Sequence, residues 1–244
     1  MTSTGVLLLH GSSGTPDVDR ARLLEAEGYD VLAPRWFGGR ISEIPLESFP
    51  LDELAARNDR LAVVGVSRGA EAALLLGTVD PRIDAVVAIS PSAYVWPWIE
   101  DELQTSAWTW KGQPLPYVPF DLGWEPDDDP PSYTEFYRQS LHAYGADADT
   151  ARIPAERFAG ELLLIAGGDD RVWPSVDFAE EIAETREDLP TWTVTVAAAG
   201  HRPLFPGEQP KQGGQRMARG GSDDADRELG ALAWRDVLRL LGGS

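Results

Sequence analysis

A single serine stands between two glycines at Gly65-Val66-Ser67-Arg68-Gly69, a spacing that can do chemistry. G-x-S-x-G suits a sharp turn from strand to helix, in which the glycines let the two elements approach and the serine presents its hydroxyl. The flanks fit this turn, because Leu61-Ala62-Val63-Val64 runs straight into it and Ala70–Leu76 leaves it as a helix. An unaided serine hydroxyl is a poor nucleophile near neutral pH, so it needs a base and an acid that orients the base. The histidines are His10, His142 and His201. His201 has the topological address of a base, since Ala199-Gly200-His201 follows the last predicted strand. Asp169 and Asp170 compete as the acid in Gly167-Gly168-Asp169-Asp170-Arg171-Val172-Trp173, after the strand before it. The spacing expected there, three residues beyond the first loop glycine, selects Asp170 and leaves Asp169 as a turn former.

Such a serine performs acyl transfer, whose tetrahedral oxyanion needs preorganised N–H donors. One donor is the backbone of Arg68, next to the nucleophile. The other comes from the loop His10-Gly11-Ser12-Ser13-Gly14, with Ser12 favoured and Ser13 in reserve. His10 reads as a loop-shaping residue rather than a second base.

The elements that position these residues follow from apolar periodicity. Short apolar runs alternate with helical patterns, the signature of βαβ units and a parallel sheet. Gly5–His10, Tyr29–Ala33, Leu61–Val66, Ala85–Ser90, Leu162–Gly167 and Trp192–Ala197 read as strands. Helices are predicted from Asp17 to about Glu27, near Leu51–Asn58, and over Arg68–Leu76, Ser175–Glu187 and Asp223–Leu241. The last is amphipathic, with Leu229, Leu232, Trp234, Val237 and Leu241 available for burial. The fold class is therefore α/β, an open, doubly wound, mostly parallel sheet of about six strands. Strand ends at its carboxyl edge converge on one crevice. The chain order Ser67, Asp170, His201 is that of the α/β-hydrolase fold.

Residues 91–157 break the rhythm with prolines and aromatics, among them Trp96, Trp98, Trp108, Trp110, Phe120, Phe136 and Tyr137. A connection this long inside a compact domain is usually a lid or binding insertion. The plainer alternative is a packed excursion whose aromatics cover a sheet edge. Asp127–Asp129 within it reads as a solvated turn rather than a metal site.

Composition bounds the remaining options. At 244 residues the chain fits one α/β domain spanning 1–244, because such domains commonly reach about 250 residues. A net charge of −19 repels phosphate backbones and anionic lipid surfaces, which argues against nucleic-acid and membrane partners. The absence of cysteine removes disulfides and thiolate ligands, and three separated histidines offer no recognisable metal set, so no cofactor is expected. The apolar runs are too short to span a bilayer. Met1–Thr4 is uncharged and His-Gly ends the first apolar run at once, unlike a signal peptide, so the expected location is cytoplasmic. Lys111 and Lys211 are the only lysines, an arginine bias that fits either adaptation to high salt or a GC-rich genome.

At these residues the chain resembles the catalytic C-terminal domain of the acyl-CoA thioesterase / bile-acid-CoA:amino-acid N-acyltransferase family, in the dienelactone-hydrolase-like branch. Ser67-Arg68-Gly69-Ala70-Glu71 is similar to the family's S-[KR]-G-x-E elbow. Trp110-Lys111-Gly112-Gln113-Pro114-Leu115-Pro116 and Gly168-Asp169-Asp170-Arg171-Val172-Trp173-Pro174-Ser175 resemble two further segments. Gly200-His201, Gly220-Gly221 and Ala233-Trp234 fit its ending. The resemblance implies hydrolysis of activated acyl compounds through an acyl-enzyme. Acyltransferase members carry cysteine at the nucleophile, so Ser67 favours release to water. Members often carry a β-sandwich domain before the hydrolase, whereas here the first strand begins almost at Met1. The expected function is an acyl-CoA thioesterase acting on a small-molecule substrate. Its competitors are a carboxylesterase or lactone hydrolase with the same machinery, and a non-catalytic binding module on the same fold. Arg35, Arg40, Arg171 and Arg202 stand beside the catalytic loops and could meet CoA phosphates, or pair with the many carboxylates.

Overall fold

The computed structural model describes residues 3–210 and 215–242, so Met1 and Lys211 lie outside the described residues. The strands, in chain order, are β1 (Thr4–Leu9), β2 (Asp30–Leu32), β3 (Ile44–Pro45), β4 (Arg60–Val66), β5 (Ile83–Ile89), β6 (Pro97–Glu100), β7 (Leu103–Ser106), β8 (Trp108–Trp110), β9 (Gln113–Pro114), β10 (Glu161–Gly167) and β11 (Thr191–Val196). The helices are α1 (Val18–Ala26), α2 (Leu51–Ala55), α3 (Arg68–Val79), α4 (Thr134–Ala143), α5 (Gly145–Ala151), α6 (Ser175–Glu184) and α7 (Asp223–Gly242).

Six strands form one sheet in the order β11-β10-β5-β4-β1-β2, every neighbouring pair parallel. Central parallel strands are covered on both faces, and side chains alternate between them. Leu7, Leu9, Val63, Val86, Leu162 and Leu164 therefore pack with α2, α3, α6 and the insertion. Their neighbours Val6, Leu8, Val64, Val87, Leu163 and Ile165 pack with α1 and α7. The crossover direction reverses between β1 and β4, which opens a crevice at the carboxyl ends of these two strands. Asp17 caps α1, its side chain accepting from the Arg20 N–H at 3.3 Å. On α7 the burial expectation fails at Leu232, which is 51% exposed. The buried stripe runs through Ala225, Leu229, Ala233, Val237 and Leu240, four residues apart for the most part, and Leu232 falls on its flank.

The insertion between β5 and β10 is built and packed rather than loose. β6 and β7 form an antiparallel pair, and β8 pairs with β9 and with β3. Trp96 stacks on Phe120 with ring centroids 5.4 Å apart, and Tyr137 meets Trp96 edge-on at 4.7 Å. Trp96 and Trp108 are fully buried in the main core. Asp128 accepts the Ser132 N–H at 2.8 Å and Asp129 pairs with Arg216, as suits a surface turn.

A buried ion pair fastens this insertion to α3. Glu71 is fully buried; its carboxylate accepts from the Arg68 guanidinium at 3.1 Å, the Trp96 N–H at 3.1 Å and Trp108 Nε1 at 2.7 Å. Burial pushes the Glu71 carboxyl above its ordinary range, and Arg68 and the two tryptophan donors oppose that. Arg68 also donates to the carbonyls of Trp96 and Pro97, at 2.9 and 2.8 Å. Deleting one partner of such a pair strands the other charge in the core. Glu71→Ala should therefore lower unfolding free energy by about 3 kcal/mol in urea titrations. A loss below about 1 kcal/mol would mean the pair is not what holds the insertion down.

Candidate active site

β4 ends and α3 begins at Ser67, whose backbone sits at φ 55°, ψ −120°. A non-glycine residue held there is strained, and such strain persists only where surrounding structure enforces it. The enforcement is steric. A Cβ on Gly65 would lie 2.1 Å from the Gly69 carbonyl oxygen, and one on Gly69 would lie 2.4 Å from that of Leu9. Ser67 is the N-cap of α3, yet its side chain makes no capping hydrogen bond. The hydroxyl is left to the cleft, beside the positive end of the helix dipole.

The loop after β10 separates the two aspartates. Asp170 is buried; Oδ2 lies 2.7 Å from His201 Nδ1, while Oδ1 accepts the N–H groups of Val172 at 2.8 Å and Trp173 at 3.3 Å. Asp169 turns outward instead, accepting the Gly221 N–H at 2.8 Å and pairing with Arg171 at 3.1 Å. The Gly221 N–H, with help from Arg171, holds Asp169 below the usual carboxylate range. The structure thus brings Asp170, not Asp169, to His201. A carboxylate on Nδ1 places the ring proton there and leaves Nε2 as the acceptor.

His201 is held on several sides. Its N–H donates to the Arg219 carbonyl at 2.9 Å, its carbonyl accepts from Ser90 Oγ at 3.1 Å, and Trp173 meets its ring edge-on at 5.8 Å. Asp226, in the first turn of α7, accepts the N–H of the preceding Gly200 at 2.7 Å. Burial raises the Asp226 carboxyl above its ordinary value, with Asp223 and Asp170 adding to the rise against the Gly200 N–H and His201. Sequence reasoning missed Asp226 because Asp223 and Asp224 disguise it as part of a solvated acidic turn. It also missed what Glu71 does, although a carboxylate inside the apolar run Ala70–Leu76 was itself a signal.

Ser67, His201 and Ser12 line one cleft of about 480 Å³. Ser13 lines it too, and Gly11 packs so closely that an added Cβ would stand 3.3 Å from Ser67 Cβ. His10 stacks on Trp36 at 5.2 Å, and its Nδ1 lies 2.7 Å from the Gly11 carbonyl, fixing the loop after β1. His142 lies exposed near the end of α4. One side of the cleft is aromatic, with Trp98, Phe120, Phe136, Tyr137 and Trp173; another is polar, with Arg202, Gln215 and Arg219. Burial, together with the neighbouring charge of Arg219, lowers the Arg202 pKa. Arg40 and Arg171 are engaged by Glu100 and Asp169, as surface ion pairs. No helix among the described residues is long and apolar enough to cross a membrane.

Comparison with known proteins bears on the fold and the family. No curated protein matches the chain. Among solved structures it is similar to a chain named m3DLH, with 19% identity, a TM-score of 0.55, and coverage of 99% of this chain and 86% of that one. It is similar also to a protein of Klebsiella pneumoniae subsp. pneumoniae provisionally described as a dienelactone hydrolase, at 15% identity and TM-score 0.57, covering 100% and 88%. A dienelactone hydrolase-like promiscuous phosphotriesterase from metagenomic libraries matches at 16% identity and TM-score 0.53, covering 99% and 87%. At these identities the likeness is one of fold, that of the α/β-hydrolases. Residues 51–241, which hold the elbow, the Asp170 loop and the His201 loop, match a family described as BAAT / Acyl-CoA thioester hydrolase C terminal, and the chain belongs to that family.

Proposed function

We propose that this chain hydrolyses acyl-CoA thioesters through an acyl-enzyme on Ser67. Family membership makes it a hydrolase acting on ester or thioester bonds; the proposal concerns the residues and the substrate. The observation that carries it is the 2.7 Å contact of buried Asp170 with His201 Nδ1, where His201 lines the same cleft as Ser67.

In this mechanism Ser67 Oγ attacks the acyl carbon and its proton passes to His201 Nε2. The backbone N–H groups of Arg68 and Ser12 hold the oxyanion. Collapse of the intermediate expels the thiolate, which takes the proton from His201. Water then repeats the sequence, with His201 as base, and releases the acid. Asp170 keeps the imidazole in the tautomer that can accept the serine proton. The aromatic side of the cleft takes the acyl group. Arg202 and Arg219 support an anionic leaving group, a local exception to the net charge of −19 that would otherwise slow its approach. The oxyester and lactone reading shares every step up to the leaving group.

Ser67→Ala should lower kcat at least about 10³-fold, with an unchanged melting temperature, because the side chain caps nothing. Turnover at the wild-type rate would remove Ser67 from the mechanism, and absence of fluorophosphonate labelling in the wild type would favour a binding module. Asp170→Asn keeps an oxygen for Val172 and Trp173 but presents an amide N–H to His201 Nδ1. It should lose roughly 10³- to 10⁴-fold in kcat, whereas Asp169→Asn should stay within a few fold. Matched acyl-CoA and p-nitrophenyl esters should differ in kcat/KM in favour of CoA. Turnover of oxyesters alone would reassign the substrate class and leave the machinery intact.

A further inference from the structure

We infer that the phenols of Tyr133 and Tyr137 form a hydrogen-bond donor subsite in the aromatic side of the cleft, and that the acyl group bound there carries an oxygen acceptor along its chain. The inference rests on the hydrolase reading above and narrows its substrate to an oxygenated acyl group, such as an ether, hydroxy or keto acyl, rather than a plain alkyl chain.

Among the described residues, five other aromatic donors of this region have protein partners, whereas Trp98 Nε1, on the same cleft, is buried without one. Trp96 Nε1 donates to Ser92 Oγ at 2.8 Å, Trp108 Nε1 to Glu71 at 2.7 Å, and Trp173 Nε1 to the Ser90 carbonyl at 3.1 Å. Tyr94 donates to Glu181 at 2.7 Å and Tyr117 to the Gln104 carbonyl at 3.0 Å. A tyrosine in a packed site ordinarily finds such a partner. Among the described residues, the hydroxyls of Tyr133 and Tyr137 make no hydrogen bond to the protein, and both residues line the cleft.

Their placement is also fixed. Tyr133 precedes α4 and Tyr137 lies one turn on, its N–H donating to the Tyr133 carbonyl at 3.2 Å, so both fall on one flank of the helix. The Tyr137 ring is wedged against Trp96 at 4.7 Å, Phe120 at 5.5 Å and Trp173 at 5.5 Å, with little freedom to turn away. Trp173 in turn packs on His201, so the phenol stands two ring contacts from the proposed base. Burial pushes the Tyr137 hydroxyl up to about 12, so it remains a donor throughout the working pH range. A mostly apolar pocket with a few fixed polar groups orients its ligand through those groups. A plain alkyl acyl chain would leave both donors facing hydrocarbon without a partner, which is unfavourable.

The test uses pairs of substrates that differ by one atom. The p-nitrophenyl and CoA esters of butanoate and methoxyacetate exchange a CH2 for an ether oxygen, and pentanoate with 3-methoxypropanoate moves that oxygen one carbon outward. kcat/KM is measured for wild type, Tyr137→Phe and Tyr133→Phe, each checked by melting temperature, since phenylalanine preserves the ring contacts. At least one of the two variants should lower kcat/KM for an ether ester about tenfold relative to its alkyl partner. Equal losses within every pair in both variants, or no loss in either, would overturn the subsite while leaving the hydrolase reading untouched. Wild-type protein that turns over none of the esters would overturn the hydrolase reading, and the subsite with it.

Discussion

No side chain fits where β4 crosses the start of α3, and that steric fact organises the molecule. β1 and β4 are neighbours in the sheet and their following helices leave to opposite faces, so their carboxyl ends must part to open a crevice. Gly69 closes one side of that crevice by lying against the carbonyls of Leu9 and His10. The loop after β1 is thereby brought to Ser67, and the strain there is offset by the packing of α3. The same device recurs at the other loops. A Cβ on Gly167 would lie 2.3 Å from the Gly200 oxygen, one on Gly200 would lie 2.3 Å from the Gly220 oxygen, and Gly220 at φ 68° crosses the Asp169 carbonyl. A chain of backbone contacts thus links the end of β10 to the loop that carries His201 and to the segment before α7.

Much of this was legible in the sequence, because backbone crossings that admit no side chain leave glycine in the text. The elbow, the places of the six sheet strands along the chain and the addresses of Asp170 and His201 follow from glycine placement and apolar runs. The choice of Asp170 over Asp169 agrees with the spacing, and the physical reason is visible only in three dimensions: the Gly221 N–H and Arg171 draw Asp169 outward. The insertion was legible as an aromatic interruption but not as structure. Its strands are two to four residues long, too short for any period to register, and β8 pairs with β3 far away in sequence. Leu232 was misplaced because three apolar residues in Leu232, Trp234 and Val237 blur which angle of α7 faces the sheet. Glu71 and Asp226 escaped because a buried carboxylate reads like a surface one until its donors are known.

The arginine bias has a structural use inside the protein as well as outside. Arg186 is almost fully buried and donates to the carbonyls of Ala155, Phe158 and Gly160, closing the chain's return to β10, with burial lowering it to about 10. Arg20 holds Glu208 with two nitrogens, at 2.8 and 2.7 Å, and the Pro203 carbonyl at 3.1 Å, tying α1 to the loop beyond His201. Arg68 does the same between α3 and the insertion. A planar fork with five donors can satisfy several acceptors at fixed angles, whereas an ammonium cannot. At the surface, Arg57, Arg82 and Arg138 each bridge two carboxylates. Those exposed pairs contribute little stability individually. Internal forks therefore explain why particular arginines cannot be lysines, and the excess of unmatched acid remains a property of the surface.

The buried pair of Arg68 and Glu71 joins these two themes. The guanidinium begins the helix that presents Ser67, and a positive charge there would oppose the favourable end of the helix dipole. Glu71 removes that opposition, and the same carboxylate binds the Trp96 N–H and the Trp108 indole. The aromatic wall and the elbow are therefore fixed by one anion. The wall cannot shift relative to Ser67 without breaking hydrogen bonds in a place where water cannot replace them. The packing of the insertion and the placement of Ser67 by the sheet are in this way set by the same buried contact, although the two lie in separate parts of the sequence.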